Sequence, residues 1–150
     1  MELVMTLESV VIVAAKRTPM GGFMGALSDA QSTELGATAI ASVLTQTGLA
    51  NDAIDEVIMG CVLPAGLGQA PARQAMLKAG LALSTGATTI NKVCGSGLKA
   101  AMLANDLIKA GSIQSAIAGG MESMTNAPYF IPKARGGMRM GHGEIKDHMM

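Results

Sequence analysis

The chain has 150 residues, 49% of them hydrophobic and 15% charged, enough to bury one core and unlike a disordered or low-complexity sequence. A formal net charge of zero gives no pull toward nucleic acid or an anionic membrane, and 2% aromatic content leaves little to stack on bases, so neither partner is expected. No stretch reaches the ~18 uninterrupted apolar residues of a membrane helix, and Met1 to Val13 lacks the basic start and apolar run of a signal peptide.

A cytoplasmic protein follows from these exclusions, with Cys61 and Cys94 as free thiols in a reducing compartment. The core is left to Ala, Val, Ile, Leu and the 13 methionines.

In chain order, Ser9 to Ala15 is a short apolar run rich in β-branched residues, the pattern of a buried strand in a parallel sheet. A glycine-rich loop follows. Ser32 or Thr33 then caps a helix running to about Thr47, with Leu35, Ala39, Val43 and Leu44 as its apolar face and Gly48 as its stop. Val57 to Leu63 predicts a second buried strand. Ala72, Ala75, Met76 and Ala79 recur at helical spacing after a second glycine-rich loop, and Gly80 closes that helix.

Thr88 to Val93 is β-rich and leads into Cys94-Gly95-Ser96-Gly97, beyond which Leu98, Ala101, Met102, Asn105 and Ile108 repeat at three and four. Strand, tight turn and helix is the reading, with Gly111 ending the helix and Ser115 to Gly120 as a fourth strand. The alternation of strands and helices argues for α/β layers. After Met121 the pattern changes: Pro128, Pro132, Gly136, Gly137, Gly141 and Gly143 mark an extended excursion outside the core. Residues 1–120 are therefore expected to form a core domain, and 121–150 the start of an excursion. No internal repeat of fixed period is present.

A free cysteine with a pKa near ~8.5 is mostly protonated at neutral pH, and the nucleophile is the thiolate. Cys94 falls where a strand meets a helix N-terminus, where unpaired backbone N–H groups and the helix dipole favour negative charge. Gly95 and Gly97 let a bulky group approach the backbone. The alternative for Cys94 is a small buried hydrophobe after a core strand.

The wider pattern decides between these. Asn91-Lys92-Val93-Cys94-Gly95-Ser96-Gly97-Leu98-Lys99-Ala100 resembles the active-site signature of the thiolase family. The resemblance extends along the chain, through Val11 to Pro19, Gly22-Phe23, Gly25 to Ser28, Met59 to Leu63, Gly68 to Gln74 and Ala118 to Thr125 with Pro128-Tyr129. It implies a layered α/β/α fold and a Claisen-type exchange, in which Cys94 takes the acyl group of a coenzyme A thioester and a second acyl-CoA supplies a carbanion.

Acyl-CoA thioesters are then substrates, with no permanently bound cofactor and no metal. The resemblance further implies a homodimer or homotetramer, with Thr125 to Gly143 contributing to contacts between dimers. In this family a histidine activates the cysteine, and a second cysteine serves as acid and base. Both belong to the C-terminal half with most coenzyme A contacts, so Cys94 and its own backbone N–H are the active-site groups expected here.

Two alternatives stay open: a non-catalytic fragment or subunit that needs a second chain, and a related ketoacyl synthase that takes acyl groups from a carrier protein. A half-domain of this kind is expected to expose apolar surface and self-associate.

Weaker signals point elsewhere. Cys61, inside an apolar strand, is expected to be buried without chemistry. His142 and His148 lie in the glycine-rich tail as loop residues, and with Glu144 and Asp147 they lack regular metal-ligand spacing. Gly66-x-Gly68 lacks the third glycine of a dinucleotide turn. Ser96 lacks a glycine two residues before it, so it is expected to support the turn instead of acting as a hydrolase nucleophile.

Overall fold

The structure, a computed structural model, describes residues 9–150. Residues 1–8, part of the segment read above as unlike a signal peptide, lie outside the described residues.

Three short strands form the centre: β1 (Glu56–Gly60), β2 (Gly86–Ile90) and β3 (Ala116–Gly120). They pair in parallel in the order β2-β1-β3, with Val57 opposite Ala87 on one side and Ile117 on the other. Parallel neighbours need crossovers. Helix α2 (Pro71–Lys78) supplies the first and α3 (Ser96–Lys109) the second, while α1 (Ser32–Thr47) precedes the sheet.

Side chains alternate across a strand, so β1 feeds two cores. Val57 and Met59 pack with Ile40, Leu44, Ala72, Ala75 and Met76 of α1 and α2. Ile58 packs on the opposite face with Ala100 and Ala104 of α3. The result is helices, sheet and helix in three layers, the α/β/α order expected from the sequence. Burying each of Val57, Ile58, Met59 and Met76 contributes about 1.5–3 kcal/mol.

The extended run Ser9 to Ala15 departs from expectation. Among the described residues it forms no strand, and Val11, Ile12 and Val13 are 70%, 88% and 70% exposed. A buried parallel strand needs a ladder on at least one edge and cover on both faces, and the run has neither.

The start of α1 is also corrected. Gln31 is its N-cap and Glu34 Oε2 accepts from the Gln31 N–H at 2.9 Å, whereas Ser32 and Thr33 are buried inside the helix. Its buried face is Gly36, Ala37, Ile40 and Leu44; Leu35, Ala39 and Val43 are only half-buried. The C-terminus is as expected, with Gly48 at φ 65° and its N–H bonded to the Leu44 carbonyl.

Strand ends fall earlier than the apolar runs suggest. β1 stops at Gly60 and β2 at Ile90, so Cys61 to Leu63 and Asn91 to Val93 leave the sheet. Beyond Met121 no residue is buried. That segment holds a 3-10 turn at Met124–Asn126 and a small antiparallel pair, β4 (Tyr129–Phe130) and β5 (Lys146–Asp147). Asn126 Nδ2 donates to the Ser28 and Ala30 carbonyls, fastening the loop before α1 to this turn.

Candidate active site

All three parallel strands point their C-terminal ends at one place, the edge where open α/β sheets present ligand crevices. There Gly60 at the end of β1 with Val62 beyond it, Gly120 at the end of β3 with Met121 and Glu122 beyond it, and the turn from Val93 to Gly97 frame a cavity of about 290 Å³. Cys94 lines it and is exposed, which removes the reading of a buried hydrophobe.

The turn that carries Cys94 is built by short-range hydrogen bonds. Gly95 N–H donates to the Lys92 carbonyl at 3.0 Å and Ser96 N–H to the Val93 carbonyl at 3.1 Å. Buried Ser96 closes the loop with its side chain: Oγ donates to the Val93 carbonyl at 2.6 Å and accepts from Lys92 N–H at 2.8 Å. Ser96 is thus a turn support, as its sequence context suggests.

The N–H groups of Gly95 and Ser96 are committed to the turn. The Cys94 N–H carries no hydrogen bond among the described residues. Val93 sits at φ 47°, a left-handed conformation costly for a β-branched residue. The strain lies one residue from the thiol.

A carboxylate holds the loop opposite. Glu122 Oε2 accepts from Val62 N–H at 2.9 Å and Oε1 from Leu63 N–H at 3.0 Å, while the Cys61 thiol points at Oε1 from 3.8 Å. Burial first, and the Glu122 charge second, push the Cys61 thiol from its ordinary 9.0 up to about 11. Cys61 is 1% exposed, buried as its place in an apolar run suggests.

Neither histidine borders the cavity. His142 is exposed. His148 is half-buried instead of a free loop residue, its Nε2 accepting from Ala65 N–H at 3.3 Å. Among the described residues no three His, Cys, Asp or Glu side chains converge on a metal-sized site, and Glu144 faces Lys146 at 3.4 Å.

Sequence reasoning placed Asn91, Gly60 and Glu122 inside the stretches that resemble thiolases but gave none of them a role. Glu122 had one physical signal: it is the lone acid directly after the small and apolar run from Ala116 to Met121. Gly60 had no such signal, because its role depends on a helix 36 residues later in the chain, at Ser96.

An exposed thiol at the C-terminal edge of a parallel sheet, on a strained turn entering a helix, defines an α/β protein that presents a free cysteine at the crevice edge of its sheet. Residues 10–150 match the family described as thiolase, N-terminal domain, and the chain belongs to the thiolase family. It is 52% identical over 144 residues to an acetyl-CoA acetyltransferase of Pseudomonas aeruginosa, covering 96% of this chain and 37% of that one. It is 51% identical over 142 residues to an acetyl-CoA acetyltransferase of Escherichia coli, covering 94% and 36%. With acetyl-CoA acetyltransferase 2 of Arabidopsis thaliana the identity is 50% over 143 residues, covering 95% and 36%. The chain therefore spans little more than a third of the length of these relatives.

Proposed function

We propose that Cys94 accepts the acyl group of a coenzyme A thioester, and that the whole protein exchanges acyl groups between such thioesters. The reaction is acetyl-CoA with acetyl-CoA to acetoacetyl-CoA and CoA, or its reverse. In the first half the Cys94 sulfur attacks the thioester carbonyl, a new S–C bond forms, the bond to the CoA sulfur breaks, and the thiol proton leaves on CoA. The observation that carries this reading is the exposed Cys94 beside its own uncommitted N–H, since one such donor to the oxyanion is worth about 3 kcal/mol. The names of the relatives support the choice of acetyl-CoA.

The further assignments belong to the same reading. Residues 1–120 are the core domain and 121–150 begin a loop excursion, supported by the separate β4-β5 pair and the lack of buried residues after Met121. Exposed Ile131, Met138 and Met140 in that excursion support a homodimer or homotetramer. Two free thiols support a cytoplasmic setting. Among the described residues no helix is long and apolar enough to cross a membrane.

A second reading has its own observation. Because neither His142 nor His148 borders the Cys94 cavity, the chain can instead be a fragment or subunit whose base comes from another polypeptide segment. Intact-mass spectrometry after mixing with acetyl-CoA, with Cys94→Ala in parallel, separates the two. A single acetyl adduct lost in the variant is the expected result. A folded sample with no adduct favours the second reading.

A further inference from the structure

We propose that Glu122 is a positioning residue for Cys94, acting through Val62 and Asn91 and never touching the acyl group. The inference rests on the acyl-transfer reading of Cys94.

Both oxygens of the Glu122 carboxylate are occupied by backbone, Oε2 by Val62 N–H and Oε1 by Leu63 N–H. A carboxylate so engaged is a fastener, not a base. It fixes the peptide that leaves β1, and the next bond starts from that peptide: the Val62 carbonyl accepts from Asn91 Nδ2 at 3.3 Å. The other end of the same carboxamide, Asn91 Oδ1, accepts from Val93 N–H at 2.9 Å. Four residues from three strand ends thus form one line, Glu122 to Val62 to Asn91 to Val93, and Cys94 follows directly.

The line matters because of where it ends. Val93 is at φ 47°, and such a conformation persists only where the surroundings over-determine it. Ser96 holds Val93 by its carbonyl; Asn91 holds it by its N–H. Without Glu122 the Val62 carbonyl is no longer fixed and the Asn91 carboxamide can rotate. Val93 is then free to relax to negative φ, which turns Cys94 and its N–H away from a common target. Misplacement by about 1 Å can cost about 100-fold in rate.

The test is a double-mutant cycle on the full chain with Glu122→Gln, Asn91→Ala and both, read two ways. The first readout is the rate of Cys94 acetylation against acetyl-CoA concentration. Each single variant is expected to lower the maximal rate about 10- to 100-fold, with half-saturation kept within about twofold, and the double variant to be no worse than the worse single. The second readout is amide hydrogen exchange, expected to rise at Val93 to Gly95 in all three variants.

Additive losses overturn the proposal, as does faster exchange confined to Val62 and Leu63 in Glu122→Gln. If the wild-type chain takes no acetyl group, acyl transfer by this chain alone fails, while the exchange data still decide whether Glu122 positions the turn. If Glu122→Gln does not fold, Glu122→Asp, which keeps the charge and shortens its reach, replaces it in the cycle.

Discussion

Gly60 ends β1 so close to Ser96 that a methyl group on its Cα would stand 2.5 Å from the Ser96 Cβ and 2.9 Å from the Gly97 backbone nitrogen. The first turn of α3, and with it the Cys94 turn, is seated directly on the end of the central strand. Gly60→Ala has no space to use, since the neighbouring atoms include backbone. It is expected to destabilise the fold by about 1–3 kcal/mol and to slow alkylation of Cys94. Urea denaturation and a timed iodoacetamide reaction read both effects; unchanged stability together with an unchanged rate would refute the close seating.

Val93 is 64% exposed and left-handed, so its side chain contributes little packing while its backbone is strained. Asparagine tolerates that conformation far better. Val93→Asn should therefore raise stability by about 1 kcal/mol, seen as a later denaturation midpoint. A clear loss of stability would show that Val93 is held by contacts of its own.

The two cysteines should differ sharply toward an alkylating reagent. At about pH 8 Cys94 is expected to be carboxamidomethylated in the native protein and Cys61 only after unfolding. Peptide mapping distinguishes them. A pH consequence follows for Cys61: its folded-state pKa is raised, so its contribution to stability is present below 9.0 and is lost as pH rises from there through about 11. Cys61→Ala should lack this alkaline decline.

Asp55 has the opposite sign. Its Oδ2 accepts from Gln114 N–H at 2.7 Å and Ser115 N–H at 3.1 Å, joining the approach to β1 with the approach to β3, and these bonds hold its pKa below the ordinary 3.8. Stability from this carboxylate is present above 3.8 and disappears as pH falls through the lower folded-state value. Asp55→Asn should melt earlier than wild type at neutral pH, and the gap should close in acid. A gap that persists unchanged in acid would mean that the charge is irrelevant.

Several features were legible because their causes are local. Gly48 and Gly111 stop helices through the backbone angles of single residues, and each helix that the apolar spacing predicts is present. Ser96 closes the Cys94 turn within four residues, so the strand, turn and helix around the thiol could be read from their own stretch of chain. The buried face of α1 was misread because its contact residues include Gly36 and Ala37, small residues that carry almost no hydrophobic signal yet let the helix lie close to Met121 and Ala75.

The amino-acid sequence by itself determined the α/β alternation, the glycine stops of the helices, the thiol at the strand-to-helix turn and the likeness to thiolases. Tertiary structure alone decided the rest. It left Ser9 to Ala15 without a strand because β-branched residues supply a propensity and not a partner. It made Gly60 indispensable through a helix that packs on it from a distance in the chain. And it turned Glu122 from a lone acid after a strand into the clasp of the Val62 and Leu63 loop, because a carboxylate's role is set by which N–H groups reach it, a matter of strands brought side by side.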